Sequence, residues 1–230
     1  MRFGLIILCV AVACALPSSC NPSLRRRLQG GTTAPPLVGT EGDDGEASKG
    51  GYPRNKALEG TDLADTMYAL GGDDLVRGKK GDDAIFGGEG NDILRGQAGD
   101  DTVDGGAGDD EVTGQSGDDR LFGGDGKDFI NADNGNDLVD GGPGDDNLAG
   151  NSGTDRVKGG AGDDLITDLD GDFGDTMIGG PGADTFILRK DLDKDKQMAQ
   201  IQDFNEAEGD KAIFIAMKNA KNGDKGKQSN

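Results

Sequence analysis

The sequence predicts an all-β repeat protein, and three observations support that fold class. A nine-residue unit occurs nine times in succession from Gly87 to Thr167. Every copy has Gly at its fourth position, Asp at its sixth and an aliphatic residue at its eighth. The chain also contains 43 Gly, no Trp and only 4% aromatic residues, so it cannot build an ordinary globular core. The copies are GGEGNDILR, GQAGDDTVD, GGAGDDEVT, GQSGDDRLF, GGDGKDFIN, ADNGNDLVD, GGPGDDNLA, GNSGTDRVK and GGAGDDLIT.

Each residue type in the unit has a physical role. Glycines at the first, second and fourth positions allow backbone conformations that other residues avoid, so this part is expected to be a tight turn. Backbone carbonyls and the sixth-position carboxylate are oxygen ligands, which a hard cation such as calcium prefers. Positions seven to nine are predicted to be a very short strand, in which position eight faces one way and its neighbours the other.

These copies resemble the RTX, or hemolysin-type, calcium-binding nonapeptide repeat. The resemblance implies a right-handed parallel β-roll, in which two consecutive copies form the opposite sides of one 18-residue coil. Copy n then stacks on copy n+2, and their two Asp carboxylates share a calcium ion. It also implies that backbone carbonyls complete the sites around Gly87, Gly90, Gly105, Gly108, Gly123, Gly126, Gly141, Gly144, Gly159 and Gly162.

The second position of the repeat supports an 18-residue period independently. It alternates between Gly and an amide or acid along the nine copies: Gly88, Gln97, Gly106, Gln115, Gly124, Asp133, Gly142, Asn151 and Gly160. A nine-residue period alone does not predict this alternation. An 18-residue coil with two chemically different edges does predict this alternation.

The repeat frame extends beyond the nine regular copies in both directions, over residues 60–187. Its first copy is degenerate, as a terminal repeat should be, and the copy from Asp168 to Ile178 is two residues too long. We expect the extra residues to bulge without shifting the register. The predicted metal ligands at position six are Asp65, Asp74, Asp83, Asp92, Asp101, Asp110, Asp119, Asp128, Asp137, Asp146, Asp155, Asp164, Asp175 and Asp184. The predicted core at position eight is Met67, Val76, Ile85, Leu94, Val103, Val112, Leu121, Ile130, Val139, Leu148, Val157, Ile166, Met177 and Phe186.

The charge of the chain is concentrated in the repeats. The whole chain has a net charge of −20, whereas residues 60–187 contain 8 basic and 31 acidic residues, a net charge of −23. Fourteen aspartates paired n with n+2 give at most about 12 shared calcium sites, whose ions would offset this charge. We therefore expect the chain to fold when it binds calcium.

The segments outside the repeats have other predicted roles. Residues 1–20 have the charged start, apolar run and small residues of a secretory signal peptide, and the run is too short to span a membrane. All three cysteines lie there, so no disulfide framework is expected in the repeats. Residues 21–59 are interpreted as a flexible linker or pro-segment. Residues 188–217 are expected to cap the roll with two apolar strands around a turn at Ala207–Asp210, and residues 218–230 to be disordered.

Composition narrows the function classes. The chain has no His, which excludes an H-E-x-x-H zinc site and a Ser-His-Asp triad, and an enzyme is not expected. Acidic repeats do not favour nucleic acid as a partner. The leading hypothesis is a secreted, extracellular calcium-binding protein with a structural, adhesive or matrix role. The alternative is a carbohydrate-binding accessory module of an extracellular enzyme or toxin system, whose signature would be exposed residues at 18-residue spacing on one sheet. Positions seven and nine show Phe122, Phe129, Arg120 and Arg156 but no regular aromatic row. The oligomeric state is left open.

Overall fold

A computed structural model describes residues 36–39, 57–169, 174–189 and 200–215. These ranges contain β-strands, turns and bends, and no helix. The strands are β1 Leu37–Val38, β2 Leu58–Glu59, β3 Thr66–Gly71, β4 Leu75–Lys80, β5 Ala84–Glu89, β6 Ile93–Ala98, β7 Thr102–Ala107, β8 Glu111–Ser116, β9 Arg120–Asp125, β10 Phe129–Asn134, β11 Leu138–Pro143, β12 Asn147–Ser152, β13 Arg156–Ala161, β14 Leu165–Asp168, β15 Thr176–Ile178, β16 Thr185–Arg189 and β17 Lys211–Ile215.

The strands form two sheets that divide the chain alternately. The odd-numbered strands lie in the order β1-β3-β5-β7-β9-β11-β13-β15, which we call the odd sheet. The even sheet has the order β17-β16-β14-β12-β10-β8-β6-β4-β2. All neighbours are parallel, and in the regular copies they pair at an interval of 18 residues, as Val103 does with Leu121. The parallel β-roll and its 18-residue coil are therefore confirmed.

The core is mainly the stripe of side chains that the repeat predicts, joined by four buried residues at other positions: Ala69, Ala132, Leu188 and Ile201. All fourteen eighth-position residues are at most 3% exposed. Two sheets facing each other through one side chain per strand bury little apolar surface, so the hydrophobic contribution to stability is small for a chain of this length.

The strands are longer than the three residues expected. A regular strand runs from position seven to position three of the next copy, as in Ala84–Glu89. Pairing skips the first-position glycine and resumes at position two, so Gly88 pairs with Gly106. The turn is correspondingly shorter, because positions two and three belong to the parallel ladder.

The insertion is accommodated as expected. Arg156 pairs with Thr176 and Val157 with Met177, a spacing of 20 residues in place of 18. Met177 keeps its core position and is 1% exposed. The register is therefore kept across the insertion, while the expected bulge itself falls on residues 170–173, outside the described ranges.

Both ends of the roll differ from the expected pattern in detail. β1 and β2 lie in the segment interpreted as a linker, and each adds a short strand to the first coil. At the other end, Ile201 forms a parallel bridge with Met177 of the odd sheet, and β17 pairs with β16 of the even sheet. The C-terminal segment thus continues both sheets, because its two apolar stretches follow the same two-sided path as the repeats.

No helix in the described ranges has the length and apolar character needed to cross a membrane. The predicted signal peptide, most of the predicted linker and the predicted disordered tail lie outside the described residues.

Candidate metal centre

The sixth-position aspartates form a buried column on each edge of the roll. All fourteen are at most 7% exposed. In thirteen of them, all except Asp175, the backbone N–H donates a hydrogen bond to Oδ1 of the aspartate one coil further along the chain, as Asp101 does to Asp119 at 2.7 Å. Neighbouring carboxylates along the column are thus joined through a backbone N–H group. The structure brings together every aspartate that the period predicts.

The column extends one residue beyond the prediction. The N–H of Asp184 donates to Oδ1 of Asp210 at 3.0 Å, and Asp210 is 7% exposed. Thirteen such contacts, of 2.7–3.0 Å, connect the described coils. Asp210 was missed because its copy has Glu208 where the fourth glycine belongs. The signal that could have found it is an Asp followed two residues later by Ala212, which pairs with the core residue Phe186.

The second carboxylate oxygen of most sixth-position aspartates has no partner among the residues that the structure describes. In ten of them Oδ2 is buried and accepts no hydrogen bond from any described residue: Asp83, Asp92, Asp101, Asp110, Asp119, Asp128, Asp137, Asp146, Asp164 and Asp184. A buried carboxylate oxygen without a partner costs free energy, and a column of them costs that repeatedly. The column therefore requires protons or cations.

The first-position glycine leaves the space beside this oxygen. A Cβ at Gly87 would lie 2.3 Å from Asp92 Oδ2 and 2.4 Å from the carbonyl oxygen of Gly105. Gly105 repeats the arrangement with Asp110 and the carbonyl of Gly123, and Gly123 repeats it with Asp128 and the carbonyl of Gly141. At position one, the expectation that glycine is needed for an unusual backbone conformation is wrong. Positions two and four have positive φ, but position one does not, and its glycine is required because carboxylate and carbonyl oxygens occupy the space of a side chain.

Burial shifts the protonation of the column. Desolvation raises the pKa of Asp101, Asp110 and Asp119 from 3.8 to about 7, against the opposing effect of the backbone N–H bond that each accepts. Neighbouring carboxylates raise these pKa values further. The metal-free column at neutral pH thus holds carboxylates that are only partly ionised.

Position five forms a second, exposed column whose hydrogen bonds run in the opposite direction. The N–H of Asp118 donates to Oδ1 of Asp100, one coil earlier, at 2.9 Å. Asn136 continues the series by donating to Asp118 at 2.8 Å. Lys127 still donates its N–H to Asp109, but it has no side-chain acceptor and instead forms an ion pair with Asp145. An Asp or Asn at position five therefore has a structural role as an acceptor.

The fourth-position carbonyls, the other predicted backbone ligands, lie near this outer column. The position of a Cβ on Gly108 is 2.0 Å from the carbonyl oxygen of Gly90 and 3.1 Å from Asn91 Oδ1. First-position carbonyls lie beside the inner carboxylates and fourth-position carbonyls beside the outer side chains.

Each of the two inner columns has one end that the protein itself closes, at Asp65 in one column and at Asp210 in the other. Asp65 Oδ2 accepts hydrogen bonds from the N–H and hydroxyl of Thr61 at 2.6 and 2.8 Å. Asp210 Oδ2 accepts the N–H of Asn205 at 2.8 Å. These two end residues thus have donors for Oδ2 that the ten aspartates named above lack within the described ranges.

The donor set fits calcium better than a softer metal. No group of three or more His, Cys, Asp and Glu side chains in the described residues is arranged to hold an ion. A cation beside the column would therefore be held by carboxylate oxygens together with backbone carbonyls, the oxygen-only mixture that calcium takes. The unpartnered oxygens and the space kept by the first-position glycines are consistent with this.

A family profile, that of the RTX calcium-binding nonapeptide repeat, matches in overlapping four-copy segments that together cover residues 59–186. This is more than half of the chain, and the chain belongs to that family. A search of curated proteins found no match. The fold and the family together define a calcium-binding repeat protein.

Proposed function

We propose that the protein is a secreted calcium-binding β-roll with a structural or adhesive role outside the cell, and that calcium causes it to fold. The observation that carries the proposal is the set of ten buried Oδ2 atoms to which no residue in the described part of the chain donates a hydrogen bond. A core one side chain wide cannot offset this column of carboxylates at neutral pH. Calcium held between successive coils would remove the penalty and join the coils.

The proposed ligands are the fourteen predicted aspartates with the carbonyls of the first- and fourth-position glycines. The contact between Asp184 and Asp210 adds a fifteenth aspartate to the column. Thr61 and Asn205 already satisfy the two end residues, Asp65 and Asp210, so the inner aspartates are the stronger candidates.

Secretion is proposed from two features. RTX-repeat proteins are usually secreted, and residues 1–20 have the composition of a signal peptide. Calcium reaches millimolar concentration outside cells, which suits the weak sites of extracellular modules. We propose no catalytic activity, since the conspicuous carboxylates belong to the calcium column.

Circular dichroism of the chain that begins after residue 20 tests the folding proposal. We expect a coil spectrum in excess chelator and a β-sheet spectrum in millimolar calcium, with magnesium at the same concentration as the control. The same β-sheet spectrum in chelator and in calcium would refute calcium-dependent folding. The proposal also includes a polysaccharide or matrix partner, which the aromatic side chains on the outward face of the odd sheet support.

A further inference from the structure

The outward face of the odd sheet carries a row of aromatic side chains at position nine. Tyr68 pairs with Phe86, Phe86 with Asp104 and Asp104 with Phe122, on the adjacent strands β3, β5, β7 and β9. The Tyr68 and Phe86 rings are stacked, with centroids 5.0 Å apart and planes 11° apart. We call these four residues the aromatic row.

The fold does not require the aromatic row. The core consists of position-eight side chains, and position nine points away from it. The equivalent residues of the even sheet are Arg77, Arg95, Thr113 and Asn131. Tyr68 is 38% exposed. Clustered apolar groups that stay exposed on a surface are typical of binding sites.

A strip without side chains borders the row. Position two on the odd sheet is Gly88, Gly106 and Gly124 beside the last three residues of the row. The even sheet has side chains at the same place, among them Gln97 and Gln115. The row therefore stands beside bare backbone, which leaves room for a ligand lying along the sheet.

Asp104 lies at the centre of a gap between two rings. Strands in a sheet are about 4.8 Å apart, so Phe86 and Phe122 are separated by about 9.6 Å along the roll. Asp104 is half-buried, and no described residue donates a hydrogen bond to its carboxylate or forms an ion pair with it. The gap thus has aromatic sides and an available acceptor at its base.

The surface around the row carries fewer charges than the rest of the roll: Glu89 and Asp125 lie at the ends of β5 and β9, and Asp140, which pairs with Phe122, forms an ion pair with Lys158. Among the residues at positions seven, nine and two of β3, β5, β7 and β9, the charged ones are Asp104 and Arg120. Arg120 is exposed and adjacent to Phe122 on β9. A cationic partner would be attracted to the acidic surface elsewhere on the roll, and an anionic partner would be repelled by it. The chemistry of this face therefore fits an uncharged ligand.

We propose that the aromatic row binds a neutral glycan. One sugar ring would lie over Asp104, with its C–H faces against Phe86 and Phe122 and a hydroxyl group donating a hydrogen bond to the carboxylate. Aromatic surface with a few oriented polar groups is the usual composition of small-ligand sites. The inference rests on the proposed function, because the row forms only when the roll is folded, and it names the partner of that roll.

Affinity gel electrophoresis in calcium tests the proposal with named probes: barley β-glucan, xyloglucan and galactomannan as neutral glycans, hyaluronan as an anionic one and poly-L-lysine as a cation. We expect at least one neutral glycan to retard the protein. Phe86→Ala and Phe122→Ala should each raise the dissociation constant about tenfold, and Asp104→Asn severalfold. Phe129→Ala is the matched control, since Phe129 is 48% exposed on the even sheet, and should change it less than twofold.

Circular dichroism of every variant in calcium separates the two proposals. A wild-type chain that shows no β-structure in calcium refutes the proposed folding. A folded wild-type chain that no neutral glycan retards refutes the glycan site alone. Equal weakening by Phe86→Ala and Phe129→Ala would also overturn it, and so would retardation by hyaluronan or poly-L-lysine only.

Discussion

The inner and outer aspartate columns offer a matched pair of substitutions at adjacent residues. Asp119 is fully buried, and its Oδ1 accepts the N–H of Asp101 at 2.7 Å. Asp118 is exposed, and its Oδ1 accepts the N–H of Asn136 at 2.8 Å. Replacing either residue by Asn keeps an acceptor oxygen and the size of the side chain. The two substitutions therefore differ in whether they remove a carboxylate oxygen from the proposed calcium site.

The expected magnitude follows from the two contacts of Asp119 along the column. Its carboxylate lies between Asp101 and Asp137, so Asp119→Asn weakens two successive proposed calcium sites. Removing one charged partner from a buried arrangement costs about 3–5 kcal/mol. For a folded region of this size, that corresponds to a fall in melting temperature of roughly 10–20 °C. Asp118→Asn should change the stability by no more than about 0.5 kcal/mol.

Thermal unfolding followed by circular dichroism in 10 mM calcium measures both variants against the wild type. In chelator at neutral pH the wild type and both variants should give the same coil spectrum, so the difference between the two substitutions should appear only in calcium. A similar fall in melting temperature for Asp118→Asn and Asp119→Asn would refute the separate roles of the two columns. So would an undiminished melting temperature for Asp119→Asn in calcium.

Three further predictions concern space, protonation and register. Gly105→Ala places a methyl group 2.3 Å from Asp110 Oδ2 and should lower both the calcium affinity and the melting temperature. Ala132→Gly, at the same repeat position, is the control and should leave both quantities equal or higher. Calorimetry that shows no loss of calcium affinity for Gly105→Ala would contradict the argument that glycine is needed for space. In chelator, the folded-state pKa values of about 6 to 7, above the ordinary 3.8, mean that the folded chain binds more protons, so the free energy of unfolding should be highest below pH 4 and fall as the pH rises to 7. β-structure in chelator that is constant or decreases on acidification from pH 8 to 5 would contradict this. Deleting two residues between Leu169 and Phe173 should leave the melting temperature in calcium unchanged or raise it, because the N–H of Asp155 still donates to Asp175 Oδ1 at 2.8 Å across the insertion. A large fall in melting temperature would show that the inserted loop makes contacts of its own.

Much of the fold was predictable because a strict period constrains both the strands and the columns. If each coil repeats every 18 residues, Asp101 must lie over Asp119 and Val103 over Leu121, whatever the exact turn conformation. The insertion was also predictable in its effect, since the Gly-Gly edge resumes at Gly179.

The details that escaped prediction are those that the period does not encode. Glycines at the first and second positions look equivalent in sequence, yet one is required for space and the other for its positive φ. The opposite hydrogen-bond directions of positions five and six depend on side-chain rotamers. Asp168 is buried at 6% exposure in the long copy, where the sequence shows Asp in place of the first glycine and gives no indication of burial. The aromatic row was missed because Tyr68 and Phe86 belong to the copies before Gly87, so that Phe122 looks isolated among the regular copies.

The most direct test of calcium between the coils is a crystal structure of the protein grown in calcium, with anomalous difference maps collected at a long wavelength. We expect peaks along both edges of the roll, each within calcium–oxygen distance, about 2.3–2.6 Å, of the Oδ2 atoms of inner aspartates such as Asp110 and of neighbouring backbone carbonyls. Peaks should be absent or weak at Asp65 and Asp210, whose second oxygens accept hydrogen bonds from Thr61 and Asn205. A folded roll in calcium without ions beside the inner aspartates would contradict the account.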